Sequence, residues 1–286
     1  MHLIVFNVSH DEALAANEAY YTPTLAAQHT EAQLVRACRP HLAPDEQVLV
    51  DSEPVEWEKV SDIQVWGWDL HVRQRLRRLG CPECLLPSDA YLARLRRLSS
   101  RQTAVALLPR LRSDVKETFG ESVFLTTFEA TEAYCLSTPR CVLKAPWSCS
   151  GRGLIFVDKA LSVAQANRAR KLLALQGGLV AEPFYAHEAD FAFECTYTSG
   201  RLTLERINSF VTNAWGQYLR NDTSLPPVSP SVLDALFHSL SVHLPQLLTD
   251  GYNGPLGIDM MAAGGKVHPC VEINLRNTMG RWPDKW

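Results

Sequence analysis

The sequence predicts two domains, an α/β layer of parallel type over residues 1–98 and an α+β domain with largely antiparallel sheets over 99–286. Three observations carry this reading. The first hundred residues alternate short apolar runs with helical patterning, leucines at helical spacing fill 88–112, and after Pro139 strand patterns dominate, broken by only two helical stretches. No internal repeat or low-complexity segment interrupts the chain.

The first strand runs over residues 2–6 and ends at Asn7, where Val8 to Glu12 reads as a polar loop. A helix follows over 24–38, with Leu25, Ala26, Leu34, Val35 and Cys38 at helical spacing and Pro40 beyond its end. Strands at 47–50 and 63–66 and a helix at 69–79 complete the first layer. Ser88 and Ser99 stand where N-caps of two consecutive helices belong, and the domain boundary falls near Ser99. Arg94, Arg96 and Arg97 read as solvated helix surface. Beyond Pro139, strands are expected at 141–144, 154–157, 178–182, 190–198, 202–207, 254–261 and 266–274, with helices at 162–175 and 231–248. The polar, proline-bearing stretch 221–230 reads as a flexible loop.

Composition narrows the function. Lys and Arg number 28 against 31 Asp and Glu, a formal net charge of -3, so there is no basic excess for counterion release from a nucleic-acid backbone. No apolar run approaches the ~20 residues that cross a bilayer, and the opening run lacks a basic flank and is broken by Asp11 and Glu12. A cytoplasmic protein with neither nucleic-acid nor membrane partners is expected. The eight cysteines are scattered, so reduced thiols are expected. Cys81 and Cys84 have CxxC spacing without a second pair, which reads as incidental, and His10, His187 and His268 read as structural or solvated.

Chemistry enters at Val142-Leu143-Lys144-Ala145-Pro146-Trp147-Ser148-Cys149-Ser150-Gly151-Arg152-Gly153-Leu154. A strand ends in Lys144, and a loop of small residues follows that can wrap backbone N–H groups around phosphate oxygens. It is not a Walker A sequence, because the lysine precedes the glycines and a strand follows them. Alone, the segment suits an ordinary hairpin with a surface lysine better than a phosphate loop. Near the C-terminus, Gly257-Ile258-Asp259-Met260-Met261, the Gly264-Gly265 turn and Cys270-Val271-Glu272-Ile273-Asn274-Leu275-Arg276 read as a hairpin. It sets Asp259 opposite the 272–274 region, with Glu272 and Asn274 on one face. Three oxygen donors among apolar neighbours suit a hard cation shared with phosphates, and an exposed acidic hairpin is the bland alternative. Between these segments, an apolar strand at 179–182 runs into Glu182, a turn and Glu188, which suits a hinge that meets a nucleotide base and sugar.

In this order the three segments resemble the ATP-grasp superfamily, to which D-alanyl-D-alanine ligase, biotin carboxylase and glutathione synthetase belong. The likeness covers about Ser99 to Gly280, and its most specific part is the thirteen-residue interval from Asp259 to Glu272 with the Glu-x-Asn pair. It implies a Rossmann-like pre-ATP-grasp domain at 1–98 and an ATP-grasp domain at 99–286. Phe6-Asn7, Trp66-Gly67-Trp68-Asp69 and the Glu-Ile-Asn-Leu-Arg-x-Thr-Met-Gly ending further resemble uncharacterised bacterial ATP-grasp proteins.

The resemblance implies roles at matching positions. Lys144 contacts ATP phosphates and the loop with Ser148, Ser150, Gly151 and Gly153 closes over them. Glu182 and the backbone of Phe184 and Tyr185 meet adenine, and Glu188 the ribose. Asp259, Glu272 and Asn274 hold one or two Mg²⁺ (or Mn²⁺) ions. Arg276 faces an acyl-phosphate or substrate carboxylate, and Arg101 stands where the family often has a phosphate-binding lysine. On the N-terminal side, Asn7, Asp11, Tyr21 and Thr22 follow the first strand, where open α/β sheets bind ligands, and are substrate candidates. The implied reaction is an ATP- and Mg²⁺-dependent ligation of a small-molecule or peptide carboxylate to an amine. The alternatives are a small-molecule kinase of the same superfamily and a nucleotide-binding regulatory protein without turnover. The chain stops six residues after Gly280, where family members usually add a helix, so closure by a partner subunit is an expectation. Trp282 and Trp286 could serve a homodimer or pack on their own chain.

Overall fold

The computed structural model describes residues 1–148, 151–248 and 251–281. Ser150, Trp282 and Trp286 therefore lie outside the described residues. The chain forms two compact units, Met1–Arg97 with the segment from Arg276 onward, and Leu98–Leu275.

In the first unit, β1 (His2–Val5) is central in a parallel sheet of order β2-β1-β3, with β2 at Glu46–Val48 and β3 at Asp62–Val65. Parallel strands need crossover connections: α1 (His10–Ala16) and α2 (Leu25–Cys38) lie between β1 and β2, and α3 (Leu70–Arg78) follows β3. Leu3 and Val5 pack on one side with Val72 and Leu76 of α3, and Ile4 and Phe6 on the other with Leu34 and Cys38 of α2. Thr24 caps α2 and Asp69 caps α3 through their side-chain oxygens, as Thr/Asp positions before apolar periodicity predict. The α/β class with parallel pairing is as expected from sequence. The polar stretch after Asn7 is not a loop throughout, because residues from His10 fold into α1 with Asp11 and Glu12 in its first turn. Seven residues are too few to display a helical period.

A fourth helix, α4 (Asp89–Leu98), starts at Ser88, whose Oγ accepts the Tyr91 N–H at 3.2 Å. The next, α5 (Arg101–Asp114), is capped by Ser100 rather than Ser99, one residue on from the sequence expectation. The chain after Leu275 packs with the first unit: Asn277 donates its N–H to the Trp66 carbonyl at 2.8 Å and its side-chain amide to that of Val65 at 3.2 Å. Asn277 is thus held by the end of β3 and the residue after it.

The second unit holds two antiparallel sheets. One has the order β4-β7-β5-β6, with β4 at Val123–Leu125, β5 at Arg140–Lys144, β6 at Leu154–Asp158 and β7 at Leu179–Pro183. The other has the order β10-β9-β8-β11-β12, with β8 at Ala189–Thr198, β9 at Arg201–Thr212, β10 at Tyr218–Asp222, β11 at Gly254–Ala263 and β12 at Lys266–Asn274. Helices α6 (Phe128–Ser137) and α7 (Val163–Gln176) pack on the first sheet, and α5 and α8 (Pro230–Leu247) on the second. Asp114 ties these last two helices, accepting from Ser239 Oγ at 2.7 Å and contacting His243 Nε2 at 2.8 Å. Ser162 forms the capping box of α7 with Gln165. Three elements of this unit escaped the sequence reading, β4 because it is only three residues long. The apolar residues of α6 are spread around its axis, and β10 begins inside a stretch of polar turn residues. No described helix is long and apolar enough to cross a membrane. The described cysteines are all free.

His268 on β12 is fully buried, its ring 5.8 Å from those of Phe119 and Tyr185, with neither ring nitrogen partnered among the described residues. Burial lowers its pKa to about 4, so the ring is neutral in the folded protein. The unfolded chain takes up this proton first, near pH 6.5. The contribution to stability is therefore complete above that pH and is lost as pH falls toward 4, by roughly 3 kcal/mol. Urea unfolding across this range is expected to show the loss, and His268→Phe to flatten it.

Candidate functional site: a phosphate loop beside a carboxylate hairpin

In the second unit, β5 carries Lys144 at its end and β7 carries Glu182 opposite Val142, so Lys144 and Glu182 are diagonal neighbours on one sheet face. Their Nζ and Oε2 are 2.6 Å apart and both side chains are buried. A buried charge is tolerable only when matched, and this pair matches itself. An ammonium has three donors, so one N–H directed at Glu182 leaves two for phosphate oxygens.

The loop after Lys144 is pinned at its neck, where the Ala145 N–H donates to the Gly153 carbonyl at 2.9 Å. Gly153 is obligatory: a Cβ there would meet Ser148 Oγ at 2.3 Å. Arg101, at the start of α5, reaches into this loop. Its Nη1 donates to the Ala145 carbonyl at 2.7 Å and to Ser148 Oγ at 2.8 Å, and its Nη2 to the Ser148 carbonyl at 3.2 Å and to Glu272 Oε2 at 2.6 Å. The planar fork thus joins the loop to the C-terminal hairpin, a geometry a lysine does not reproduce.

In that hairpin, β11 and β12 pair with Asp259 directly opposite Glu272, and Asn274, two residues along, donates its side-chain amide to Asp259 Oδ2 at 3.1 Å. Asp259 and Glu272 are thus register partners, and the two-residue period sets Asn274 on the face of Glu272. Two carboxylates and an amide make a hard, all-oxygen donor set that suits Mg²⁺ shared with phosphate oxygens rather than caged by protein alone. The donor chemistry fits the cation the resemblance implies. Nearby, the Cys270 thiol is pushed up by burial and then by the charge of Asp259, and stays protonated.

The segment from 184 to 190 differs in detail from the sequence expectation. Phe184 lies under the Arg140 guanidinium, 4.6 Å from its ring centre, and donates its N–H to the Arg140 carbonyl. The Tyr185 hydroxyl accepts the Glu121 N–H at 2.9 Å. Glu188 accepts the Gly264 N–H at 3.0 Å, so its carboxylate braces the hairpin turn. Asp190 was not anticipated. It accepts from Thr212 Oγ1 at 2.7 Å and lies 3.1 Å from His187 Nε2, whose pKa it raises through that hydrogen bond. His187, Glu188, Asp190, Ser209 and Thr212 line a cavity of about 380 Å³. The available signal was an acid opening the alternating strand Asp190-Phe191-Ala192-Phe193.

The first-unit candidates are arranged as follows. Arg276 holds Asp11 through Nε at 3.1 Å and Nη2 at 2.7 Å. The Tyr21 hydroxyl donates to Glu12 at 2.9 Å, and Thr22 is exposed. Asn7 is buried, and its amide is spent on the Gly67 backbone and Asp69, so it braces the fold rather than reaching outward.

Breaking the Lys144–Glu182 pair from one side strands a buried charge. Lys144→Met is expected to cost about 3–5 kcal/mol. Adding Glu182→Leu is expected to restore most of that, which unfolding midpoints of the two variants will read.

No family model matches the sequence, and no curated protein matches it. Solved structures do match along nearly the whole chain. D-cycloserine synthetase DcsG superposes with a TM-score of 0.57 at 13% identity, over 99% of this chain and 94% of that one. D-alanyl-alanine synthetase A from Vibrio cholerae O1 biovar eltor gives 0.59 at 10% identity over 100% and 92%. Biotin carboxylase from Campylobacter jejuni gives 0.61 at 12% identity over 97% and 66%. Such identities speak for fold alone: the chain shares the fold of D-cycloserine synthetase DcsG, D-alanyl-alanine synthetase A and biotin carboxylase.

Proposed function

We propose that this protein is an ATP- and Mg²⁺-dependent ligase that activates a carboxylate as an acyl-phosphate and joins it to an amine. The observation that carries the reading is the joining, through Arg101, of the Ala145–Ser148 loop to Glu272 of the carboxylate hairpin. Phosphate and cation ligands are thus brought together by one side chain. A cation at Asp259, Glu272 and Asn274 would offset charge on the β- and γ-phosphates. Lys144 supplies donors to the phosphates while Glu182 holds it in place, and the loop N–H groups orient the transferring group. The attacking oxygen belongs to the substrate carboxylate. Phosphate then leaves more readily than hydroxide would, which is what ATP contributes. Arg276 is kept as the residue for the substrate carboxylate or acyl-phosphate, with Asp11 fixing its plane.

Pooled amino acids, dipeptides and small carboxylic acids, offered with ATP and Mg²⁺, are expected to elicit ADP and inorganic phosphate. Glu272→Ala should lower that rate by about a hundredfold or more. A phosphorylated product in place of free phosphate would mark a kinase, and tight ATP binding without turnover would mark a regulatory protein.

Within the same reading, Asp190 rather than Glu188 is the partner of the ribose hydroxyls: both line the cavity, but the Glu188 carboxylate is engaged by the Gly264 N–H of the hairpin turn, while Asp190 has the Thr212 hydroxyl as its neighbour. Asp190→Ala is expected to raise the ATP dissociation constant roughly tenfold, and Glu188→Ala to change it much less, by calorimetry.

A further inference from the structure

In the second unit, α6 ends on Ser137 and β5 begins at Arg140, and this short connection brings two cysteines together across it. Cys135 lies in the last turn of α6 and Cys141 is the second residue of β5. Both are buried, and their sulfurs are 3.7 Å apart. A disulfide needs about 2.05 Å, so each sulfur has less than an ångström to travel. The hydrogen bond that the two thiols share favours a single thiolate: it draws Cys141 below the usual thiol range and pushes Cys135 above it. One sulfur is thereby prepared as a nucleophile, and the other stands beside it as a resolving thiol.

The pair sits on the residues that hold the Phe184 segment. The residues between the two sulfurs end at Arg140, whose carbonyl accepts the Phe184 N–H at 2.8 Å and whose guanidinium lies over the Phe184 ring. Cys141 itself is the register partner of Pro183. Drawing the sulfurs together therefore pulls on both residues that anchor the end of β7. We propose that Cys135 and Cys141 form a peroxide-reactive dithiol, a modification site whose closure to a disulfide loosens the Phe184 segment and weakens nucleotide binding. The nucleotide part rests on the function proposed above, whereas the dithiol does not. Both sulfurs are shielded from bulky oxidants, so the co-reactant is a small hydroperoxide. The Cys141 thiolate attacks the O–O bond of hydrogen peroxide, keeps one oxygen as a sulfenic acid and releases hydroxide, which takes up the proton Cys141 had lost. The Cys135 sulfur then attacks Cys141: the S–S bond forms, the S–O bond breaks, and the departing hydroxide collects the Cys135 proton. Two thiols and one peroxide become one disulfide and two waters, with two electrons passing from sulfur to oxygen.

The test uses the full chain carrying Cys84→Ser, which removes an exposed thiol. After hydrogen peroxide and trypsin without reductant, the tetrapeptide Cys141–Lys144 is expected joined to the peptide that ends at Arg140, two hydrogens lighter than the two together. Dithiothreitol should free it, and oxidised glutathione should leave both thiols unmodified. By calorimetry, peroxide should raise the ATP dissociation constant about fivefold and dithiothreitol should reverse the change. Cys135→Ala should bind ATP as the reduced protein does and ignore peroxide. Unmodified thiols or sulfinic acid at both positions, a glutathione adduct at either, a cross-link that leaves ATP binding unchanged, or an equal loss of ATP binding in Cys135→Ala would overturn the proposal. If the reduced protein does not bind ATP, the nucleotide reading fails, and the peptide map alone decides the dithiol.

Discussion

The second unit depends on one buried guanidinium. Arg101 is 6% exposed, and a cation so enclosed persists only if its donors are matched in place. The matching partners are two loop carbonyls, a serine hydroxyl and the Glu272 carboxylate, which belong to segments far apart in sequence. Their convergence brings the first residue of α5, the loop after β5 and the strand β12 to one place. The site is thus a consequence of charge matching as much as of hydrophobic packing.

Around that tie, each sheet contributes what its pairing dictates. Antiparallel register sets Asp259 across from Glu272, and the two-residue period adds Asn274 to the same face. The neighbouring sheet sets Lys144 diagonal to Glu182 by the same rule. The polar ends of both sheets are expensive to bury, and each is offset by a partner within the second unit. The parallel sheet of the first unit leaves its polar residues at strand ends, where the backbone turns into helices and side chains such as Asp69 serve as both cap and hydrogen-bond acceptor.

A large part of this was legible in the sequence. The strands at both ends of the chain, the helices at 24–38 and 162–175, and the opposition of Asp259 to the 272–274 region follow from periodicity and a Gly-Gly turn, which are local. The α6 helix was hidden because its apolar residues do not favour one side, and α1 because it is two turns long. Asp190 escaped notice because its neighbour Thr212 lies twenty-two residues away, and an acid opening an alternating strand does not by itself point to a partner.

The sequence by itself determined the fold class, the order of the longer strands and helices and the residue types available for phosphate and cation chemistry, since these depend on spacing along the chain. Only the tertiary structure decided which of those residues share a charge or a proton: Arg101 with Glu272, Lys144 with Glu182, Glu188 with the Gly264 turn, and His10 with Asp69. The physical reason is that hydrogen bonds and ion pairs act over a few ångströms, and which atoms come that close is set by packing between segments that no local pattern connects.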